Sequence, residues 1–218
     1  MNLQVVEWAN PQQAWFFSCG PHPTLLVGGF DSAKTTGGVL KLIYLLHRFP
    51  KSRGAIVRAT STQTRKTTSQ TFFQRCPEAA YRSGRRNDFD GFVILNNGSR
   101  VDFIHLDRPN SMRVLRGLEI NFALVDQAEE LSEEAWDILD ARVGRWSGMT
   151  ITDEMDDPSW PYRNDNGDPI PPRYLFATAN PTDEVHWLYK RFADESSERE
   201  YWSQRGYEQV NADHVAYY

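Results

Sequence analysis

Lys34 and Thr35 are the residues from which the chemistry of this chain is read first, because of the glycines upstream of them. The stretch Gly28-Gly29-Phe30-Asp31-Ser32-Ala33-Lys34-Thr35 fits the pattern glycine, four residues, glycine, lysine, serine or threonine, with Ala33 where the second glycine usually stands. A loop of this kind turns backbone N–H groups toward phosphate oxygens at the start of a helix, where unpaired donors and the helix dipole both favour an anion. In that reading Gly28 through Thr36, with Gly29, Phe30, Asp31, Ser32 and Ala33 between, surround the phosphates. The Lys34 ammonium neutralises the outer phosphates, and the Thr35 hydroxyl goes to Mg²⁺. Alanine departs from glycine by one methyl group and is compatible with a helical φ, so the loop is expected to survive Ala33. The plain alternative is a Gly-Gly turn followed by a chance Lys-Thr.

The second chemical group is Asp126, which ends the apolar run Phe122-Ala123-Leu124-Val125 and is followed by Gln127, Ala128, Glu129 and Glu130. A carboxylate at the C-terminal end of a buried strand, close to a phosphate loop, suits Mg²⁺ held through water, because Mg²⁺ keeps its waters. Hydrolysis also needs a glutamate to take a proton from the attacking water. Glu133 and Glu134 read as first-turn acids of a helix over 133–143 capped by Ser132. Glu129 and Glu130 stay open between that helix-start role and the catalytic one. The apolar run from Tyr174 ends in Thr178-Ala179-Asn180-Pro181, a polar strand end that either senses a terminal phosphate or simply turns the chain. Upstream, Gln13 lies among Trp8, Trp15, Phe16 and Phe17. Its amide can read an adenine edge, although an aromatic segment packed on the sheet accounts for the composition as well.

Strands and helices must bring these groups together. Leu25-Leu26-Val27 reads as a buried strand before the loop, and Val39, Leu40, Leu42, Ile43, Leu45 and Leu46 as a helix after it. Residues 54–58 predict a second strand and 61–74 a helix, with Ser61 and Thr62 as candidate caps. Residues 92–104 read as a β-hairpin about Asn97-Gly98. Residues 147–172, rich in Asp, Pro and Gly, predict an exposed loop or insertion without the spacing of a calcium loop. Val185 to Tyr189 begins a further helix. Arg65 and Lys66, with Arg75, Arg82, Arg85 and Arg86, read as a solvated face and are also the best local place for a phosphate backbone.

At 218 residues and 40% hydrophobic, the chain can build one sizeable core with at most a small appendage. No apolar run has membrane-spanning length and no leader precedes it, which predicts a soluble, unprocessed chain without a membrane partner. Two cysteines are too few for a disulfide framework or a zinc site and fit a reducing cytoplasm. The net charge of −5 confines any nucleic-acid contact to a local patch.

In order along residues 8–192, these stretches resemble the ATPase domain of the large terminase subunit, the DNA-packaging motor of tailed bacteriophages. The resemblance runs through Pro11-x-Gln13-x-x-Phe16, the Gly28 to Thr35 loop, Arg58, Asn97-Gly98-Ser99, Arg116-Gly117-Leu118, Asp126-x-Ala128-Glu129-Glu130 and Asn180-Pro181 with His186-Trp187-Leu188-Tyr189. It implies an α/β P-loop NTPase fold of the additional-strand, conserved-glutamate type: a mainly parallel central sheet flanked by helices, with a β-hairpin insertion. Residues 1–200 would form the ATPase domain, and 201–218 the start of a linker or lid ahead of a nuclease domain that this chain lacks. The implied activity is hydrolysis of ATP to ADP and phosphate to move double-stranded DNA into a procapsid, with no cutting by this chain. A nucleotide-binding assembly module with little turnover and a RecA-like helicase lobe are the alternatives.

By the same resemblance Gln13 faces adenine, Lys34 and Thr35 the phosphates and Mg²⁺, and Asp126 the metal. Thr178 and Asn180 couple hydrolysis to motion, and Arg116 reaches into a neighbouring subunit's site. The implied partners are double-stranded DNA, the portal protein and the small terminase subunit. The chain is expected in host cytoplasm, transiently docked on the portal as a ring, and monomeric in isolation. It departs from the family pattern at Ala33, at Phe30-Asp31 where many relatives have Arg-Gly, and at Gln127 where many carry the catalytic Glu. Glutamine cannot take a proton, so Glu129 is favoured as the base, with Glu130 as the other choice.

Overall fold

In the computed structural model, which describes residues 11–29, 32–77, 80, 91–192, 209–210 and 215–216, helices alternate with short strands. The order is α1 (Pro11–Ser18), β1 (Thr24–Val27), α2 (Lys34–Arg48), β2 (Arg53–Arg58), α3 (Ser61–Gln63), a π-helical turn (Thr64–Thr68) and α4 (Ser69–Arg75). It continues with β3 (Phe92–Ile94), β4 (Arg100–His105), α5 (Ser111–Arg116), β5 (Phe122–Asp126), a 3₁₀ turn (Ala128–Glu130), α6 (Glu133–Arg142) and α7 (Asp153–Asp156). The last elements are β6 (Tyr174–Ala179), α8 (Trp187–Phe192), β7 (Gln209–Val210) and β8 (Val215–Ala216).

The strands form one sheet in the order β3-β4-β2-β5-β6-β1-β8-β7. All neighbours are parallel except β3 with β4 and β7 with β8. Strand β6 therefore lies between the loop strand β1 and the Asp126 strand β5, which is the additional strand the fold expectation required. Asp126 pairs with Thr178, and Val27 with Ala179, so the three C-terminal strand ends finish level and face one crevice.

Parallel strands covered on both faces read as unbroken apolar runs, and alternate residues then go to opposite layers. Leu25, Val57, Val125 and Leu175 pack with Trp136 and Leu139 of α6 and with Leu188 and Phe192 of α8. Leu26, Ile56, Leu124 and Phe176 pack on the other face with Leu42, Leu45 and Leu46 of α2 and with Phe16 of α1. Gly38 lets α2 lie close to the sheet, because a Cβ there would stand 2.7 Å from Leu124 Cδ1 and 3.4 Å from Thr178 Cγ2. That approach brings the helix N-terminus over the strand ends.

The hairpin forms as expected, with Gly98 at φ +85° and the Leu95 amide donating to Ser99 O at 2.8 Å. Ser132 caps α6 by accepting from the Ala135 amide at 3.3 Å. Three local expectations are corrected. The helix after β2 is capped by Thr60, which accepts from the Gln63 amide at 3.4 Å, while Ser61 binds Asp107 through its amide and hydroxyl. The loop of residues 147–172 is mostly exposed as expected, but it contains α7 and sends Met149 and Met155 into the core layer that also holds Phe49 and Phe122. Ala33 adopts φ 56°, ψ 19°, the left-handed conformation, rather than a helical φ. Trp8, Phe30, Asp31, Arg82, Arg85 and Arg86 lie outside the described residues, as does most of residues 201–218, whose strand β8 pairs with β1.

Candidate active site

The phosphate-loop residues lie where β1 hands over to α2. The Gly28 amide donates to Ala179 O at 3.1 Å, tying the loop's start to the end of β6. Lys34 is 7% exposed, and its ammonium donates to Gly29 O and to Asn180 Oδ1, both at 2.9 Å. The loop closes on its own lysine. Ser32 and Ala33 complete the turn, Lys34, Thr35 and Thr36 begin α2, and Gln13 donates from its amide nitrogen to Ala33 O at 2.8 Å. Gln13 is buried in α1 with its side chain against Gly37, so its observed contact is with the loop's backbone.

Asp126 is 1% exposed at the end of β5. Its Oδ1 accepts from the Thr35 hydroxyl at 2.8 Å and from the Thr178 hydroxyl at 2.7 Å, and its Oδ2 accepts from Thr68. The Arg58 guanidinium stands 3.7 Å from Oδ2. A hydroxyl and a carboxylate oxygen brought together at a helix N-terminus are the hard oxygen donors that Mg²⁺ takes, so this set fits that ion. Among the described residues no group of three or more His, Cys, Asp or Glu could hold a metal ion.

Beyond Asp126 the backbone turns sharply, because Gln127 is left-handed at φ 55°, ψ 60°, an uncommon conformation for a residue with a Cβ. The 3₁₀ turn that follows separates the two acidic candidates. Glu129 faces inward and accepts from Asn180 Nδ2 at 2.6 Å, while its own carbonyl lies 3.2 Å from His186 Nε2. Its Oε2 is buried without a hydrogen-bond partner among the described residues. Burial pushes the Glu129 carboxyl above its ordinary value, opposed by the Asn180 hydrogen bonds. Glu130 faces out and accepts from Gln63 Nε2 at 3.1 Å. Asn180 thus holds Lys34 with its oxygen and Glu129 with its nitrogen. Arg116, at the end of α5, is away from this cluster and pairs with Glu134 at 2.9 Å on an exposed surface.

The π-helical turn supplies contacts that motif reading did not foresee. Arg58, the last residue of β2, is 4% exposed and donates to Thr67 and Thr68 beside Asp126. The signal available was the run Thr60, Thr62, Thr64, Thr67, Thr68 and Thr71, since β-branched hydroxyl residues are poor choices for an ordinary helix.

The family model described as phage terminase large subunit matches residues 22–217. The chain belongs to that family. No curated protein matches it. Among solved structures, the large terminase of a thermophilic bacteriophage superposes with a TM-score of 0.65 at 11% identity, over 97% of this chain and 45% of its own. The same large terminase in complex with ADP gives 0.62 at 11% identity, over 95% and 44%. An arginine-to-alanine mutant of the Thermus phage P74-26 large terminase ATPase domain gives 0.57 at 16% identity, over 97% and 80%. This terminase chain thus spans under half the length of the first of these relatives and has the mainly parallel α/β fold of large-terminase ATPase domains.

Proposed function

We propose that this chain is the ATP-hydrolysing motor domain of its terminase, converting ATP to ADP and phosphate to drive double-stranded DNA into a procapsid. The observation that carries the reading is the Lys34–Asn180–Glu129 connection, in which one side chain links the phosphate loop to a half-buried carboxylate. Bound ATP lays its phosphates over the loop amides and Lys34, and the ADP complex of the thermophilic phage's large terminase supports nucleotide binding by this fold. Thr35 and Asp126 would hold a Mg²⁺ ion, which when bound would supply charge neutralisation at the phosphates. Glu129 accepts the proton of the attacking water, and Asn180 orients that carboxylate while touching Lys34. Thr178, on Asp126, joins Asn180 in passing the state of the site to β6 and α8. Gln13 braces the loop beside the adenine end.

Arg116 is exposed on α5, as a residue serving a neighbouring copy's site must be, and its pairing with Glu134 is weak enough at the surface to exchange. The motor acts as a ring on the portal protein in the host cytoplasm, with the small terminase subunit as a further partner. The chain by itself is a monomer at low concentration and associates as its concentration rises. We expect no DNA cutting by this chain. A second reading, a nucleotide-binding module with little turnover, draws on Gln127, which stands beside Asp126 with its Oε1 buried and without a partner among the described residues.

Lys34→Ala tests the phosphate-loop reading shared by both, and Glu129→Gln separates them. Lys34→Ala should weaken ATP binding about 10- to 100-fold, the effect of losing charge-assisted hydrogen bonds. Glu129→Gln should keep binding and lower turnover by about 10²- to 10⁴-fold, as removal of a general base does. Tight binding by Lys34→Ala contradicts the phosphate-loop reading, and unchanged turnover in Glu129→Gln contradicts the assignment of the base.

A further inference from the structure

The two oxygens of the buried Asp126 carboxylate serve different parts of the molecule. Oδ1 accepts from Thr35 and Thr178, which belong to the loop helix and to β6. Oδ2 faces the π-helical turn, where it accepts from Thr68 and lies 3.7 Å from Arg58. Arg58 Nη1 also donates to Thr67, to Thr68 Oγ1 at 3.3 Å and to Gln63 O at 3.4 Å. Thr68 accepts from Arg58 and donates to Asp126, so a single hydroxyl relays between cation and anion. Among the described residues, Asp126 is the only carboxylate within ion-pair distance of Arg58, whose Nε is buried without a hydrogen-bond partner.

A carboxylate this deeply buried keeps its charge only if something compensates it, and a buried guanidinium carries the same demand. Each therefore answers the other. The π-helical turn makes this possible by widening the helix between α3 and α4, which brings Thr67 and Thr68 to Arg58 together. A dication beside Asp126 places further positive charge next to Arg58, so Arg58 and the ion compete for one carboxylate.

We infer that Arg58 and Thr68 are positioning residues that hold Asp126 when no metal is on it and yield it when Mg²⁺ binds. They thereby set the metal affinity of the site and make the π-helical turn sensitive to loading. The inference rests on the reading of Thr35 and Asp126 as the Mg²⁺ residues. It adds a route by which site occupancy reaches the helix carrying Arg65 and Lys66, both exposed on the same turn.

The test titrates Mg²⁺ into the ADP-saturated protein, for wild type, Thr68→Val and Thr68→Ser, and follows amide hydrogen exchange of residues 64–68 before and after the metal. Thr68→Val frees Oδ2 and should bind Mg²⁺ about tenfold more tightly, the equivalent of one hydrogen bond to a charged group, while Thr68→Ser stays at the wild-type value. Exchange across 64–68 should quicken on adding Mg²⁺ to the wild type and be fast with or without it in Thr68→Val. Equal or weaker Mg²⁺ binding by Thr68→Val overturns the inference, and so does wild-type exchange that is unchanged or slowed by the metal. If Thr68→Val does not fold, the wild-type exchange decides alone. An ADP complex that takes up no Mg²⁺ removes the metal reading as well, whereas Mg²⁺ uptake without these responses removes only this inference.

Discussion

Half-buried Glu129 shares Asn180 with Lys34, and its carboxyl sits above the ordinary value of 4.5 because burial penalises its charge. Two consequences follow from the direction of that shift. A base must be deprotonated to act, so turnover should fall on the acid side at a higher pH than a free glutamate would give. Asn180 hydrogen bonds oppose the shift, and Asn180→Ala should move that acid limb higher still, whatever it does to the maximal rate. The pH profile of kcat for the two proteins checks this, and coincident acid limbs would contradict it. Stability has its own sign. A carboxyl with a raised folded value favours the folded state at low pH and loses that contribution as pH rises through the raised value. Glu129→Gln should therefore melt no lower than wild type at pH 7, which separates its loss of turnover from any loss of fold.

Elements hold these residues by devices that are tested apart from catalysis. Ala33 spends a left-handed conformation on the entry to α2, and Ala33→Gly should stabilise the chain by about 1 kcal/mol, read as a raised denaturation midpoint. A lowered midpoint would mean that the turn does not need φ 56°. Lys41 of α2 fastens α1, and with it Gln13, by donating to Phe16 O at 2.8 Å and Cys19 O at 3.0 Å beneath the Phe16, Tyr174 and Phe176 rings. Burial brings its ammonium down to about 8 from the ordinary 10.5. Between those values the unfolded chain keeps a proton that the folded chain has released, so stability rises with pH. Burial raises the adjacent Cys19 thiol from 9.0 to about 11, which opposes the gain above pH 9. From pH 7 to pH 9 wild type should gain stability relative to Lys41→Met in chemical denaturation, and a gap that does not change would contradict this.

What was legible at this scale follows from physics that acts locally. Apolar runs, the Asn97-Gly98 turn and the Ser132 cap announce themselves because neighbouring residues make them. The inward turn of Glu129 does not, since it depends on a left-handed Gln127 and on Asn180, just past the end of β6 and 51 residues away in sequence. The π-helical turn and the burial of Lys41 were equally hidden, because their partners come from other elements.

At the scale of the whole molecule, the sheet order places β6 between β1 and β5, and the crevice at their C-terminal ends collects Lys34, Thr35, Asp126, Thr178 and Asn180. That convergence was legible from motifs, since Asp126, Thr178 and Asn180 stand at the ends of apolar runs and Lys34 and Thr35 follow the glycine loop after another. Arg116 lies outside it on an exposed surface, and the action in trans proposed for it requires a second copy. Mixing Arg116→Ala with Lys34→Ala chains, each impaired alone, should restore part of the turnover if one chain completes the other's site. Turnover no greater than the sum of the separate variants would count against action in trans.

The most direct test of the central claim is steady-state ATP hydrolysis at rising protein concentration, with ATP binding followed on the same sample. Hydrolysis that occurs, and climbs per chain as copies associate, is the predicted result. Saturated ATP binding with no turnover at any concentration would contradict the claim that this site, with Glu129 as its base, hydrolyses ATP.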